Sequence, residues 1–191
     1  RVLPGDDFLP DFVVRYNRKR DGGHVTVAGL ARALHVEDGV AGAVEDTALG
    51  YGLSVSGKVK VGERDDVRFM VTAGEGIGRY IGLNLDNDAA LKADGTLDAI
   101  PTYTGFASYR HFWTPKWRSN LTYGIFRADT PKLNGVSVGL TDAAQSVHVN
   151  LIHTPVNKVD IGAEYIFADR ETDNGLDGAM HRVQFSSKYS F

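Results

Sequence analysis

Apolar and polar residues alternate along most of this 191-residue chain. The last segment shows the pattern well, because Val183, Phe185 and Tyr189 fall on one face. Gln184 and Lys188 fall on the other face. A period of two is typical of a β-strand whose two faces meet different surroundings. The alternation therefore predicts strands with one apolar face and one polar face.

Nine segments of the chain show this strand pattern. They cover about residues 11–19, 24–36, 49–61, 67–72, 102–113, 117–127, 146–153, 158–167 and 181–191. Short links rich in Gly, Pro, Asp and Asn lie at 20–23, 62–66, 114–116 and 155–157, and longer links lie at about 37–48, 74–100, 128–144 and 169–178. Short turns at one end and long loops at the other are typical of outer-membrane barrels. We predict an all-β fold, an antiparallel transmembrane β-barrel.

The composition is compatible with this prediction, although 42% hydrophobic residues and a net charge of −3 would also suit a soluble protein. In a membrane barrel only alternate residues face lipid, so the overall hydrophobicity stays ordinary. Apolar runs are a few residues long, whereas a membrane helix needs roughly 20. The chain has no cysteine, which excludes disulfides and thiolate metal sites. We expect no cofactor and no metal.

The order of the links also predicts where the ends of the chain lie. If the short turns are periplasmic, the first strand descends from an extracellular loop and Phe191 ends in the periplasm. Complete bacterial barrels have an even number of strands and start on the periplasmic side. We therefore expect residues 1–191 to be one transmembrane β-barrel domain that is incomplete at its N-terminus.

Aromatic residues on the apolar face are expected near both ends of the strands. Those near the loops are Phe12, Tyr51, Tyr103 and Phe167, and those near the turns are Trp113, Trp117, Tyr189 and Phe191. Such belts are typical of the two membrane interfaces. The alternative is the aromatic core of a soluble β-sandwich binding module.

Basic residues dominate the polar face. They are Arg15, Arg32, Lys58, Lys60, Arg68, Arg110, Arg118, Lys158, Arg182 and Lys188, against Asp160 and Glu164 as acidic residues. A basic wall in a narrow channel concentrates anions, and arginine can bind a carboxylate through two hydrogen bonds. We predict a porin for passive diffusion of small anionic solutes such as dicarboxylates. The alternative for any single cation is a solvated residue of the barrel interior, paired with an acid from a strand that this sequence does not contain.

The longest link, 74–100, contains the residues GEGIGRY at 74–80. We expect it to fold inward and to place Arg79 and Tyr80 near the centre of the pore; folded outward, it would only be a surface loop. No Lys-Ser/Thr pair follows the glycines, so they do not form a phosphate-binding loop. We expect no nucleic-acid partner.

Ser146, His148 and Asn150 share one strand face and suggest an alternative function, an outer-membrane lipid hydrolase. A nucleophile must lie within hydrogen-bond reach of its base. Neighbours on one strand face are about 7 Å apart. We therefore expect these residues to be polar lining rather than catalytic, and the protein not to be an enzyme.

Three blocks give the chain a family resemblance: LPDFVVRY at 9–16, GEGIGRY at 74–80 and VQFSSKYSF at 183–191. With the strand rhythm, they resemble the C-terminal portion of the DcaP-like trimeric outer-membrane transporters. The resemblance implies a homotrimer of sixteen-stranded barrels, preceded by a helical segment, in the outer membrane of a Gram-negative bacterium. It also implies passage of small, often dicarboxylic, anions. Arg15 and Arg79 lie in the matching blocks, so the resemblance implies that they bind the anion. The terminal Phe191 resembles the signal recognised by the barrel assembly machinery.

Overall fold

The computed structural model of the chain describes residues 9–37, 45–82, 85–131 and 139–191. Nine strands form one antiparallel sheet. They are β1 (Phe12–Arg20), β2 (Gly23–Glu37), β3 (Glu45–Val61), β4 (Asp65–Glu75), β7 (Pro101–Phe112), β8 (Trp117–Ala128), β9 (Thr141–His153), β10 (Val159–Thr172) and β11 (Asp177–Tyr189). The strands are neighbours in chain order, and β1 and β11 form the two edges of the sheet. The predicted all-β, antiparallel fold is confirmed.

The apolar face of the sheet is the exposed one. Phe185 is 79% exposed, and Phe12, Leu49, Leu121 and Val183 are also exposed. A soluble sandwich would bury such a face against a second sheet. The second sheet among the described residues is a two-stranded hairpin that lies over the polar face. Among the described residues, no helix is long and apolar enough to cross a membrane.

Aromatic side chains occupy both ends of the exposed face, as expected. Phe12, Tyr51 and Tyr103 are exposed near the loop end of the sheet, and Trp113 and Trp117 are exposed near the turn end. The Trp117 ring stacks on His153, with 4.2 Å between ring centroids. Amphipathic rings at these two levels suit the two membrane interfaces.

Several strands extend further toward the loop end than the alternation predicts. The expected long link at 169–178 is a four-residue turn, 173–176, because β10 continues to Thr172 and β11 begins at Asp177. Ladder pairs such as Arg170 with Gly178 form despite the polar composition. The prediction of a long link here was therefore wrong.

Lys158 also lies elsewhere than predicted. We expected it on the polar face of a strand, but β10 begins one residue later. Lys158 has a backbone φ of +71°, in the left-handed region, and its carbonyl accepts a hydrogen bond from the Ser190 amide at 2.9 Å. Its backbone forms part of the turn before β10.

The long link between β4 and β7 folds onto the polar face, as predicted. It contains a 3-10 turn at Gly78–Tyr80 and two short strands, β5 (Ala89–Leu91) and β6 (Leu97–Ala99), which form a hairpin. Neither short strand was predicted. Ile77, Ile81 and Ile100 of this link pack in one buried cluster with Phe126 and Ala128 of β8. We call the described residues of this link, 76–82 and 85–100, the inner loop.

Glycine allows the inner loop to lie close to the sheet. A Cβ atom at Gly50 of β3 would lie 2.8 Å from Arg32 Cγ and 3.2 Å from the Gly76 carbonyl oxygen. Gly76 has a φ of +69°, which side-chain-bearing residues rarely adopt. Gly50 therefore leaves a position on β3 without a side chain, and Gly76 allows the backbone to bend sharply above it.

Candidate functional site

A continuous row of polar residues crosses the polar face. Its members are directly paired neighbours on six strands: Lys19, His24, Lys58, Arg68, Ser108 and Thr122. Ser108 and Thr122 share a hydrogen bond of 2.7 Å between their hydroxyl oxygens. Lys19, Lys58 and Arg68 are basic. The row therefore offers cationic groups on β1, β3 and β4 and neutral hydroxyls on β7 and β8.

Three of the predicted cations converge on one acid near the turn end. Arg68 Nε lies 2.9 Å from Asp66 Oδ1, and Lys58 Nζ lies 3.8 Å from Oδ2. Arg110 donates to the same Oδ2 through Nη2. The Asp66 side chain is only 3% exposed. We call Lys58, Asp66, Arg68 and Arg110 the turn-end cluster.

An aromatic ring supports the turn-end cluster. The guanidinium groups of Arg110 and Arg64 lie 5.2 Å and 5.3 Å from the centroid of the Phe112 ring. Stacking of this kind fixes the plane of a guanidinium. Lys58, Asp66, Arg110 and Arg64 face an adjoining cleft of about 410 Å³. Its other charged or titratable lining residues are Lys19, Arg20, Asp21, His24, Lys60 and Asp65.

Three other predicted residues meet at the loop end, where they fasten the inner loop. Arg32 Nη1 lies 2.9 Å from Asp88 Oδ2 and 3.2 Å from the Gly76 carbonyl oxygen. Arg32 Nε lies 3.3 Å from Asp11 Oδ1, and Arg79 Nε lies 3.4 Å from Asp88 Oδ2. We call Asp11, Arg32, Arg79, Tyr80 and Asp88 the loop-anchor cluster. Arg32 is 2% exposed, so its guanidinium holds the loop rather than facing an open lumen.

Two groups of the inner loop have shifted acidities. The Tyr80 hydroxyl donates to the Asp11 carboxylate, and this hydrogen bond raises the pKa of Tyr80. Burial raises the pKa of Asp86, although its carboxylate accepts hydrogen bonds from the Asn87 amide and the Thr130 hydroxyl. Both shifts reflect how closely the inner loop packs.

The remaining predicted cations lie apart from these clusters. Arg118 forms two hydrogen bonds with Asp160, at 2.7 and 3.2 Å, and donates to the Thr154 hydroxyl at 2.8 Å. Lys188 is paired with Asp160 in the ladder of β10 and β11. Arg15 on β1 and Arg182 on β11 are exposed, and the described residues form no ion pair with either. The structure therefore does not gather the predicted residues into one site.

Ser146 and His148 lie closer together than the spacing along a strand predicts. His148 Nε2 is 3.2 Å from Ser146 Oγ, and His148 Nδ1 is 3.6 Å from Glu164 Oε1. The expected separation was therefore wrong, because the imidazole turns along the strand toward the serine. The histidine–carboxylate distance exceeds a hydrogen bond. Glu164 Oε2 instead accepts a hydrogen bond from Asn150 Nδ2 at 3.1 Å.

An apolar region on the polar face was missed by the sequence analysis. Phe126, Ala144, Ala168 and Met180 occupy polar-face positions near the loop end and line a cavity of about 690 Å³ with Ile81 of the inner loop. The sequence could have indicated this region, because these four residues are apolar at positions where the alternation predicts polar residues. Asp66 and Asp88 were also missed, because they fall within links in the sequence pattern, and Asp11 was missed because it is the first residue of a predicted strand.

The described residues contain no group of three or more His, Cys, Asp or Glu side chains suited to a metal ion.

A sequence model of the DcaP outer membrane protein family matches residues 2–191 of the chain. The chain belongs to this family. DcaP family membership makes it an outer-membrane protein, and the exposed apolar face with aromatic ends is the surface that such a protein presents to lipid.

Two solved structures resemble the DcaP family chain. One is the crystal structure of the outer membrane channel DcaP of Acinetobacter baumannii, with 19% identity and a TM-score of 0.83 over 97% of this chain and 53% of that one. The other is the NanC porin, with 7% identity and a TM-score of 0.51 over 95% of this chain and 93% of that one. The chain thus spans about half the length of the DcaP channel. No curated protein matches it.

Proposed function

We propose that this chain forms part of the wall of an outer-membrane channel through which small anionic solutes, such as dicarboxylates, diffuse passively. The observation that carries this proposal is the charge of the polar face. Its strands hold the basic residues Arg15, Lys19, Arg32, Lys58, Lys60, Arg68, Arg110, Arg118, Arg170, Arg182 and Lys188, and the acidic residues Asp46, Asp66, Asp142, Asp160 and Glu164. A confined surface with excess positive charge attracts anions and repels cations.

The donors of this row suggest how a carboxylate would move along the polar face. Arg68 and Lys58 present cationic groups, and Ser108 and Thr122 continue the row with hydroxyls that can replace water around the solute. Binding to each group must remain weak, because a channel has to release what it attracts. In this proposal Arg32, Arg79 and Tyr80 act indirectly, since they hold the inner loop that narrows the pore.

The assembly proposed for the complete protein follows the family resemblance. We propose a homotrimer whose apolar face contacts outer-membrane lipid. Phe191 ends the chain after the edge strand β11 and is fully exposed. This position suits its proposed recognition by the barrel assembly machinery.

The test is ion selectivity of the full-length channel in a planar lipid bilayer. With a tenfold KCl gradient across the bilayer, we expect a reversal potential of the sign that indicates preference for chloride over potassium. Dicarboxylates added to one chamber should interrupt the chloride current more often than uncharged diamides of the same length. A reversal potential of the opposite sign would contradict the anion proposal.

A second candidate, an outer-membrane ester hydrolase, is favoured by the contact of Ser146 with His148. Hydrolysis of an ester also needs donors for the developing oxyanion. Ser146 lies within β9, an interior strand paired on both sides, so the ladders use the surrounding backbone amides. The channel therefore remains the function that the geometry supports better.

A further inference from the structure

We propose that the turn-end cluster is a separate anion-binding site at the end of the pore opposite the inner loop, and that Asp66 sets how long an anion stays there. The site would take one compact oxyanion group, a carboxylate or a phosphate. This inference rests on the proposed channel function, because the polar face must line the pore for a solute to reach it.

Charge is the first support for the site. Lys58, Arg68 and Arg110 surround the single carboxylate of Asp66, which leaves two positive charges uncompensated within the turn-end cluster. Asp66 is buried behind them, whereas the side chains of Arg68 and Lys58 are 48% and 40% exposed. An approaching solute therefore meets the cations before it meets the acid.

The unused donors are the second support. Among the described residues, Arg68 bonds to Asp66 through Nε, and its two terminal nitrogens have no protein acceptor. Lys58 Nζ lies 3.8 Å from Asp66, which is beyond a hydrogen bond. Arg68 and Lys58 are directly paired across β3 and β4, so their side chains stand side by side. Together they can donate to two oxygens of one anion.

Rigidity is the third support. Arg110 is held between the Asp66 carboxylate and the Phe112 ring, so its charge stays behind the two exposed cations. Lys19, Arg20, Lys60 and Arg64 line the adjoining cleft together with Asp21 and Asp65, so basic side chains outnumber acidic ones toward the turn end. A preorganised site of this kind needs little rearrangement to bind.

Asp66 explains why the site would release its anion. A resident carboxylate within hydrogen-bond distance of Arg68 and Arg110 competes with the solute for their positive charge. Without this competition three cations would act on one anion, and conduction would slow because departure would become rare. Asp66 is therefore a residue that tunes retention rather than one that attracts the solute.

The test compares Asp66→Asn and Arg68→Gln in the full-length channel, with inorganic phosphate as the probe. Phosphate is added to one chamber at a time, and the mean duration of current blocks is measured in single-channel records. We expect Asp66→Asn to lengthen the blocks and Arg68→Gln to shorten them. Each change should be about tenfold, the factor that one charge-assisted hydrogen bond supplies.

Asp98→Asn is the matched control, because it removes one carboxylate from the exposed ion pair with Lys92 in the inner loop. It should leave the duration of phosphate blocks unchanged. If Asp66→Asn does not fold into a heat-modifiable barrel, the test uses Arg68→Gln and Lys58→Gln, which replace exposed side chains. Each of these two variants must then shorten the phosphate blocks. If the block durations are unchanged in an anion-selective channel, the anion site at the turn-end cluster is overturned and the proposed function stands. If the channel is cation-selective but the durations change, the proposed function is overturned and the anion site stands.

Discussion

At the scale of single residues, burial separates cations that the sequence presents as equivalent. Arg32 and Arg68 both occupy polar-face positions, but Arg32 is covered by the inner loop and Arg68 is half exposed. The difference arises from partners distant in sequence, since Asp88 and Gly76 of the inner loop close over Arg32. We therefore expect solutes to contact Arg68 and Lys58 directly, and Arg32 to act through the position of the loop.

The contact between Ser146 and His148 gives a prediction at the same scale. Because the strand ladders use the backbone amides around Ser146, the full-length protein should not hydrolyse p-nitrophenyl esters faster than its Ser146→Ala variant does. Release of p-nitrophenol, followed by absorbance, measures the rate. Ser119→Ala, on the opposite face of β8, controls for nonspecific effects of removing a hydroxyl. A rate that depends on Ser146 alone would favour the hydrolase.

Sequence alone could predict which residues lie on the polar face, because a period of two assigns faces directly. It could not predict which of them are paired. Asp66 stands at the border of a predicted turn, and only the register of β3, β4 and β7 brings it beside Lys60 and Arg110. Ion pairs between strands depend on register, and alternation within one strand contains no information about its partner's register.

At the scale of elements, the inner loop contacts β3 at Gly50, where the strand has no side chain. A side chain at Gly50 would collide with Arg32 and with the backbone of Gly76. The inner loop has further attachments, including the Leu97 amide, which donates to Asp46 Oδ2 at 2.6 Å. Its position is therefore fixed at several points along its length.

Gly50→Leu should displace the inner loop and enlarge the pore. We expect a higher single-channel conductance and weaker discrimination between anions and cations, because the inner loop would no longer narrow the proposed pore. Gly29→Leu on β2 is a matched control, since a Cβ atom there has no neighbour within 4 Å. It should conduct as the unaltered channel does. Equal conductance of the two variants would show that the loop does not restrict the pore.

The strands themselves could be predicted better than their ends. Alternation located all nine strands of the sheet, because each has an exposed apolar face. It did not predict the extensions at Thr141, Thr172 and Asp177, where ladder hydrogen bonds continue through polar residues. Nor did it predict β5 and β6, since three-residue strands are too short for a period to be recognised.

At the scale of the whole molecule, the two edges of the sheet dominate the behaviour expected of these residues by themselves. Among the described residues, β1 pairs with β2 alone and β11 pairs with β10 alone. Unpaired backbone groups at a sheet edge are costly in lipid and promote association with other strands.

A polypeptide of residues 1–191 alone should therefore aggregate when it is refolded into detergent. Size-exclusion chromatography with circular dichroism measures the outcome. Refolding the full-length protein under the same conditions should give a detergent-soluble, heat-modifiable species, because in the proposed closed barrel both edges are paired with strands. Recovery of a stable monomer with β-type dichroism from the isolated polypeptide would contradict this expectation.

The row that begins at Lys19 and reaches Thr122 has a consequence for the shape of a solute. Strands in outer-membrane barrels tilt by about 35–45° from the pore axis, so residues paired across them do not lie at one depth. In the proposed barrel the row would therefore follow a helical path around the pore wall, with each residue at a different depth from the one before it. An anion that moves from one donor to the next must rotate as it descends, and short or flexible molecules can do so more readily than long rigid ones.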